Sequence, residues 1–495
     1  AGFTVQLVPM RDNFHEYQSM VELALSLSPH YRVGADWLRL SACGSDKRNA
    51  EISCQRLDPN QVVALDVPGP GSEEQPCETD DRLFAGCIAA RRDFHVDPYG
   101  RIGFCAYVVD PELRYGLRTG TFSEAWDEFI PGLGDKVRGG AEYRENCGSC
   151  ELRPDCGWCA VHGFLEHGRY SARVDYLCEL ARETRRFRKQ RHKDHCRYFS
   201  IAGITLKVES DLPITDRTFH PKFREFQLEG PGEDTVVIRH HFGLPELGPE
   251  DLGQEVYRKA PWAIFRKRKS WIYHGILDEG AGQGLHQVVV FNDDHSVGEF
   301  YHPEDRRFRN GNLNSLTMFP TDQILLAPLL ADRQACFLHS AGAVLDGQGL
   351  LFVGHSEAGK STAVKLIKDR AEILCDDRNI VRREAGGFRV HGTWSHGEVP
   401  LVSAASARLR AILLLEKSAE NDVVLVADRS EILGHLLACV IRPLETRDWW
   451  QKTLSVLEAL CREVPCYLMR FDKSGRIVGK LEALARRTEG VEGEG

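Results

Sequence analysis

Two groups of residues in this 495-residue chain have the types and spacing to do chemistry. The first is the stretch Gly354, His355, Ser356, Glu357, Ala358, Gly359, Lys360, Ser361 and Thr362, behind the apolar run "GLLFV". It fits the pattern G-x-x-x-x-G-K-S/T. Glycines let a backbone turn sharply enough for several N–H groups to face one anion. Lys360 would bring an ammonium to the β- and γ-phosphate oxygens, and Ser361 would place a hydroxyl on Mg²⁺. A helix starting at this point aims its positive end at the phosphates. The expected ligands are therefore ATP and Mg²⁺. Downstream, "EILCDD" ends a second apolar run in Asp376 and Asp377. Carboxylates at that edge suit a general base and a metal ligand. Asp376 is assigned as the base and Asp377 as the metal partner, with the exchange of roles as the alternative.

The second group is made of cysteines. Of the sixteen in the chain, eleven precede residue 200. Cys87 and Cys105 bracket Gly100 as C-x12-G-x4-C, Cys147, Cys150, Cys156 and Cys159 follow as C-x2-C-x5-C-x2-C, and Cys178 comes last. Short spacings let two thiolates turn back onto one metal, and distant ones close the site. Iron–sulfur clusters and a zinc ribbon-like site both suit such a set. In a large chain, ligating cysteines fit a reducing cytosol better than disulfides do, so a cytoplasmic location is expected.

The elements that must position these groups can be read from the apolar pattern. Residues 1–76 read as an α/β unit, with "FTVQLVPM" a strand and "NFHEYQSMVELALSLS" a helix capped by Asn13. Residues 77–180 carry the cysteines on short elements. Residues 181–197 are basic and read as a helix end followed by a linker. Residues 198–335 show period-2 runs ("FSIAGITLKVES", "DTVVIRHHF", "PWAIFRKRKSWIYHGI", "HQVVVFNDD") and are expected to be β-rich. From 336 to 486 strands and helices alternate in the α/β manner. The acidic, Gly-rich tail 487–495 is expected to be disordered. The fold class is thus α/β and multidomain.

The segment 337–381, with "LHSAG" before the strand, the phosphate loop and the Asp pair, resembles the HPr kinase-like P-loop kinases, which are related to phosphoenolpyruvate carboxykinase; "HGTWSHGE" at 391–398 adds to the likeness. The resemblance implies a kinase core in which His339 lies in the site, one Asp acts on the acceptor hydroxyl, the other assists Mg²⁺, and Glu398 is a further metal partner. Where that family has glycine after the loop serine, this chain has Glu357. The cysteine segment, with "CIAARRDFHVDPYGRIGFC" and "TGTFSEAW", resembles the SPASM domain of peptide-modifying radical S-adenosylmethionine enzymes. This likeness implies two 4Fe–4S clusters. Cys87, Cys105 and Cys159, with Cys77, would hold the first, and Cys147, Cys150, Cys156 and Cys178 the second. Residues 1–76 resemble the last part of the barrel of such enzymes. The C-x3-C-x2-C run that holds their cofactor-cleaving cluster is missing, so no radical activity is expected from this chain.

Other properties bound the reading. The net charge of −9 gives no sign of a nucleic-acid partner, and no eighteen-residue apolar run suggests a membrane span. The expected activity is transfer of phosphate from ATP to a Ser or Thr hydroxyl of a peptide or small protein. The alternative is a nucleotide-gated peptide-binding module that performs no transfer.

Overall fold

The computed structural model describes residues 3–36, 38–65, 81–259, 262–276, 287–319, 322–442 and 446–486. The expected metal ligand Cys77 and the tail 487–495 lie outside them. The chain divides into two compact units, Ala1–His192 and Lys193–Gly495. It is a mixed α/β, multidomain protein.

The first unit opens with two short parallel strands, Val5–Leu7 and Tyr31–Val33, joined through the helix Tyr17–Leu27. Asn13 is not the cap of that helix. Its carboxamide accepts from the N–H of Met10 at 2.6 Å and closes a separate 3₁₀ turn, Arg11–Glu16, ahead of it. A small antiparallel sheet follows, formed by His95–Val96, Arg101–Gly103 and Tyr115–Gly116. Phe84, Phe104, Ile130, Trp158, Val174 and Leu177 pack the core beneath the cysteines. The basic stretch 181–197 departs from its expected linker: the helix Asp175–His195 runs through it, and a strand starts at Cys196. Leu177, Leu180, Ala181 and Thr184 bury one face of this helix. Arg185 and Arg188 fasten it to the carboxylate of Asp155 at 2.7 and 2.5 Å.

The second unit begins with a nine-stranded sheet. The hairpin Cys196–Ile201 and Ile204–Ser210 pairs in parallel with Thr235–Phe242, which pairs in parallel with Val297–His302; an antiparallel meander completes it. Alternate residues of Thr235–Phe242 are buried, which gives its sequence the period of two.

The core sheet of this unit consists of β1 (Ala335–Leu345), β2 (Gln348–Val353), β3 (Glu372–Cys375), β4 (Arg378–Glu384), β5 (Gly387–His391), β6 (Ser406–Lys417), β7 (Asp422–Leu425) and β8 (Cys466–Phe471). Its helices are α1 (Lys360–Ile367), α2 (Arg429–Cys439), α3 (Arg447–Glu463) and α4 (Ile477–Arg486). Strand β2 pairs in parallel with β6, and β6 with β8. Leu350 and Phe352 meet α1 and α4 on one face, while Leu351 and Val353 meet α2 and α3 on the other. Burial on both faces explains why β2 reads as an unbroken apolar run. Strand β1 forks. Its first half, up to His339, pairs with β4, and its second half pairs with β2 and β3. Among the described residues, no helix is long and apolar enough to cross a membrane.

Candidate functional site

The loop Gly354–Gly359 joins the end of β2 to the start of α1, so the backbone N–H groups of the first helical turn open onto it. Its glycines are required by space and by backbone angle. A Cβ on Gly354 would sit 2.6 Å from that of Ala358, and Gly359, at φ 111°, would press one to 2.9 Å from the Phe471 ring. Glu357 holds φ 67° with a full side chain, a conformation that costs roughly 1–2 kcal/mol outside glycine. His355, Ser356 and Glu357 are exposed, Ala358 is buried, and Thr362 is half-buried on the first turn of α1.

Lys360 is 7% exposed, and burial lowers its pKa despite the nearby Cys439, Asp377 and Asp376. Its ammonium donates to the carbonyls of Gly354 at 2.8 Å and His355 at 3.1 Å, and to Nε2 of His339 at 2.9 Å. An ammonium can only donate, so Nε2 of His339 is unprotonated and the ring proton sits on Nδ1. That nitrogen lies 3.2 Å from Oδ1 of Asp377. Lys360, His339 and Asp377 thus form one hydrogen-bonded line.

The fork in β1 builds this line. His339 ends the pairing with β4, opposite Arg378, and the N–H of Ser340 donates to the carbonyl of Asp377 at 3.0 Å. Asp376 and Asp377 form the connection between β3 and β4, which pair with the two halves of β1. Their side chains consequently meet different partners. Asp376 accepts from the Ser361 hydroxyl at 2.9 Å, the N–H of Gly397 at 2.6 Å and the N–H of Val399 at 3.0 Å. Asp377 faces His339 and, at 3.4 Å, the Nε of Arg378. Burial opposes its charge, but His339, Arg378 and Lys360 outweigh that and hold its pKa below the usual carboxylate range.

Glu398 departs from its expected place. Its side chain is 72% exposed and pairs with Lys365 at 2.9 Å, which lowers its pKa. The backbone on either side of it, at Gly397 and Val399, is what reaches Asp376. Sequence reasoning missed those two N–H donors and Arg378; the only hint was the glycine-containing "HGTWSHGE". His391 is buried beside Glu384 at 3.3 Å, at the end of β5. The arrangement can cradle phosphates at the loop, hold a cation beside Ser361 and Asp376, and accept a proton at Asp377.

In the first unit, Cys147, Cys150, Cys156 and Cys178 line one mostly apolar cavity with Leu177 and Trp158. Burial, then the neighbouring Cys178 and Cys156 thiols, push Cys147 up to about 11. Cys87 is raised by burial and then by Cys159 and Cys105, which lie beside it. Four cysteines thus line one cavity, and Cys105 and Cys159 are near enough to Cys87 to act on its charge. Among the described residues, no three ligating side chains are drawn together as they would be around a metal ion.

Residues 312–486 match the family model described as SynChlorMet cassette protein ScmC. A solved structure titled as the Hpr(Ser) kinase/phosphatase from Coxiella burnetii is similar over 30% of this chain and 88% of that one, at 13% identity and a TM-score of 0.21. A comparison with curated proteins found no match.

Proposed function

We propose that the second unit is a Mg-ATP-dependent phosphotransferase acting on a Ser or Thr hydroxyl of a peptide or small protein. The observation that carries this reading is the separation of the two adjacent carboxylates. Asp376 bonds to the loop hydroxyl of Ser361, and Asp377 to the line from Lys360 through His339. Mg²⁺ would be held by Ser361 and Asp376, since a hard cation takes oxygen ligands next to the phosphates. Asp377 would be the base. This exchanges the roles assigned from the sequence, because Ser361 selects Asp376. The acceptor hydroxyl gives its proton to Asp377 while its oxygen forms a bond to the γ-phosphorus. The bond from that phosphorus to the bridging oxygen breaks, and its electron pair leaves with ADP. His339 orients Asp377 through Nδ1–H. Lys360 would move from the carbonyls of Gly354 and His355 to the phosphate oxygens.

The first unit, in the same proposal, holds two 4Fe–4S clusters. Cys147, Cys150, Cys156 and Cys178 would bind one, and Cys87, Cys105 and Cys159 would contribute to the other. Support comes from the four thiols that line one cavity, and from the influence of Cys105 and Cys159 on Cys87. Such clusters, when bound, supply a redox-active or structural centre. The match to a cassette family agrees with a chain that shares its substrate with other enzymes. Incubation of the full chain with labelled ATP, Mg²⁺ and hydroxyl-bearing peptides tests the kinase reading. Label should appear on peptide and ADP should form in equal amount. ATP that binds but is never transferred to any acceptor would overturn it.

A further inference from the structure

Against the loop that holds Asp376 lies a cluster of basic groups that the phosphotransfer scheme does not use. The helical turn Pro221–Phe226 packs Phe223 and Phe226 against Trp394, with ring centroids 5.2 and 5.3 Å apart. Trp394 is 1% exposed and donates its indole N–H to Asp322 at 2.8 Å. Two residues beyond Trp394 is His396, and next to that is Gly397, whose N–H holds Asp376 at 2.6 Å. The aromatic contact therefore brings the turn against the loop that supports the reaction centre.

The turn carries two basic side chains. His220 caps it, accepting from the N–H of Lys222 at 3.2 Å. Lys222 is half-buried, yet its ammonium makes no hydrogen bond or ion pair among the described residues; its only ring contact is its own neighbour Phe223, 5.5 Å away. The acid acting on it is Asp322, and that carboxylate is already taken up by Ser315, Thr317, Leu316 and Trp394. Lys222 and His396 both lie near enough to His220 to act on its charge. A half-buried ammonium with no partner is unfavourable unless an anion arrives, and His220, whose Nδ1 accepts, keeps its Nε2–H as a further donor.

We infer that Lys222, His220 and His396 form a subsite for a carboxylate flanking the acceptor hydroxyl, so that the acceptor is an acidic peptide. This inference rests on the phosphotransferase reading. A charge-assisted hydrogen bond at a half-buried site corresponds to about a tenfold effect on kcat/KM.

The test uses the full chain with Mg-ATP and serine peptides carrying Glu, Gln or Lys at each position around the serine. At one or more positions, the wild-type protein should favour Glu over Gln by about tenfold. K222E should reverse the order there, favouring Lys. H396Q, a change at a half-buried position, should narrow the preference without abolishing transfer. Equal kcat/KM for all three peptides, or a Glu preference that K222E leaves intact, would overturn the acidic subsite while the kinase reading stands. Absence of transfer to every peptide, with ATP bound, overturns both.

Discussion

Lys360 and His339 share a hydrogen bond of 2.9 Å across the mouth of the loop Gly354–Gly359, although they are twenty-one positions apart in the chain. The bond fixes the tautomer of His339 and presents its other ring nitrogen to Asp377. In the proposed mechanism it would tie the state of the loop to that of the base, because a phosphate that drew Lys360 away would free Nε2 of His339.

Removing the ammonium should separate binding from backbone cradling. Lys360→Ala is expected to weaken Mg-ATP at least tenfold by calorimetry, with some affinity left from the loop N–H groups. Equal affinities in the two proteins would remove Lys360 from the phosphate site.

The two carboxylates should respond differently to the same change. Asp376→Asn leaves Ser361 and the Gly397 and Val399 N–H groups with a neutral acceptor, so the Mg²⁺ concentration for half-maximal rate should rise severalfold. A titration of rate against Mg²⁺ reads this directly. An unchanged midpoint would deny Asp376 its metal role.

The pH dependence follows from the direction of the Asp377 shift. Its pKa lies below the ordinary value, so it stays ionised and able to accept a proton until the pH falls below the usual carboxylate range. The acid limb of kcat should therefore lie under about pH 4 when assigned to this group. Stability is lost earlier. His240, His295 and His391 are buried and neutral, each held at about 4 chiefly by burial. Unfolded, they take up protons near pH 6.5, so their contribution is complete above that value and is lost as the pH falls toward 4. Melting temperature should drop by several degrees between pH 7 and pH 5, and more gently in His240→Gln. A flat profile would contradict the neutral assignment.

Anaerobically prepared protein should be brown and contain iron and sulfide in excess of zinc. Cys147→Ala with Cys178→Ala should remove about half of the iron, since these two thiols would bind only one of the two proposed clusters. A colourless protein with stoichiometric zinc would overturn the cluster assignment.

Different parts of this molecule were legible to different degrees. The glycine loop was plain because β2 is buried on both faces and is followed by Gly354 and Gly359, where a Cβ would clash. The strands of 198–302 were visible from their alternation. The different partners of Asp376 and Asp377 were not, because they depend on the fork of β1, a pairing between segments distant in sequence. Glu398 misled for a related reason: it stands in the right loop, but Lys365 on α1 takes its carboxylate, and the backbone beside it does the holding. Asn13 had the composition of a cap, yet its side chain closes the preceding turn. The stretch 181–197 looked like a linker on charge alone; Asp155, some thirty residues earlier, pairs with two of its arginines, Arg185 and Arg188, and fastens the helix that runs through it.

The central claim is that Asp377 accepts the proton while Asp376 does not. The most direct measurement is the single-turnover rate of phosphate transfer from labelled ATP to an acceptor peptide in Asp377→Asn at saturating Mg²⁺, with ATP affinity measured alongside. The rate should fall by about a hundredfold or more while ATP affinity stays within a few-fold of wild type. Transfer at the wild-type rate in Asp377→Asn would contradict the account.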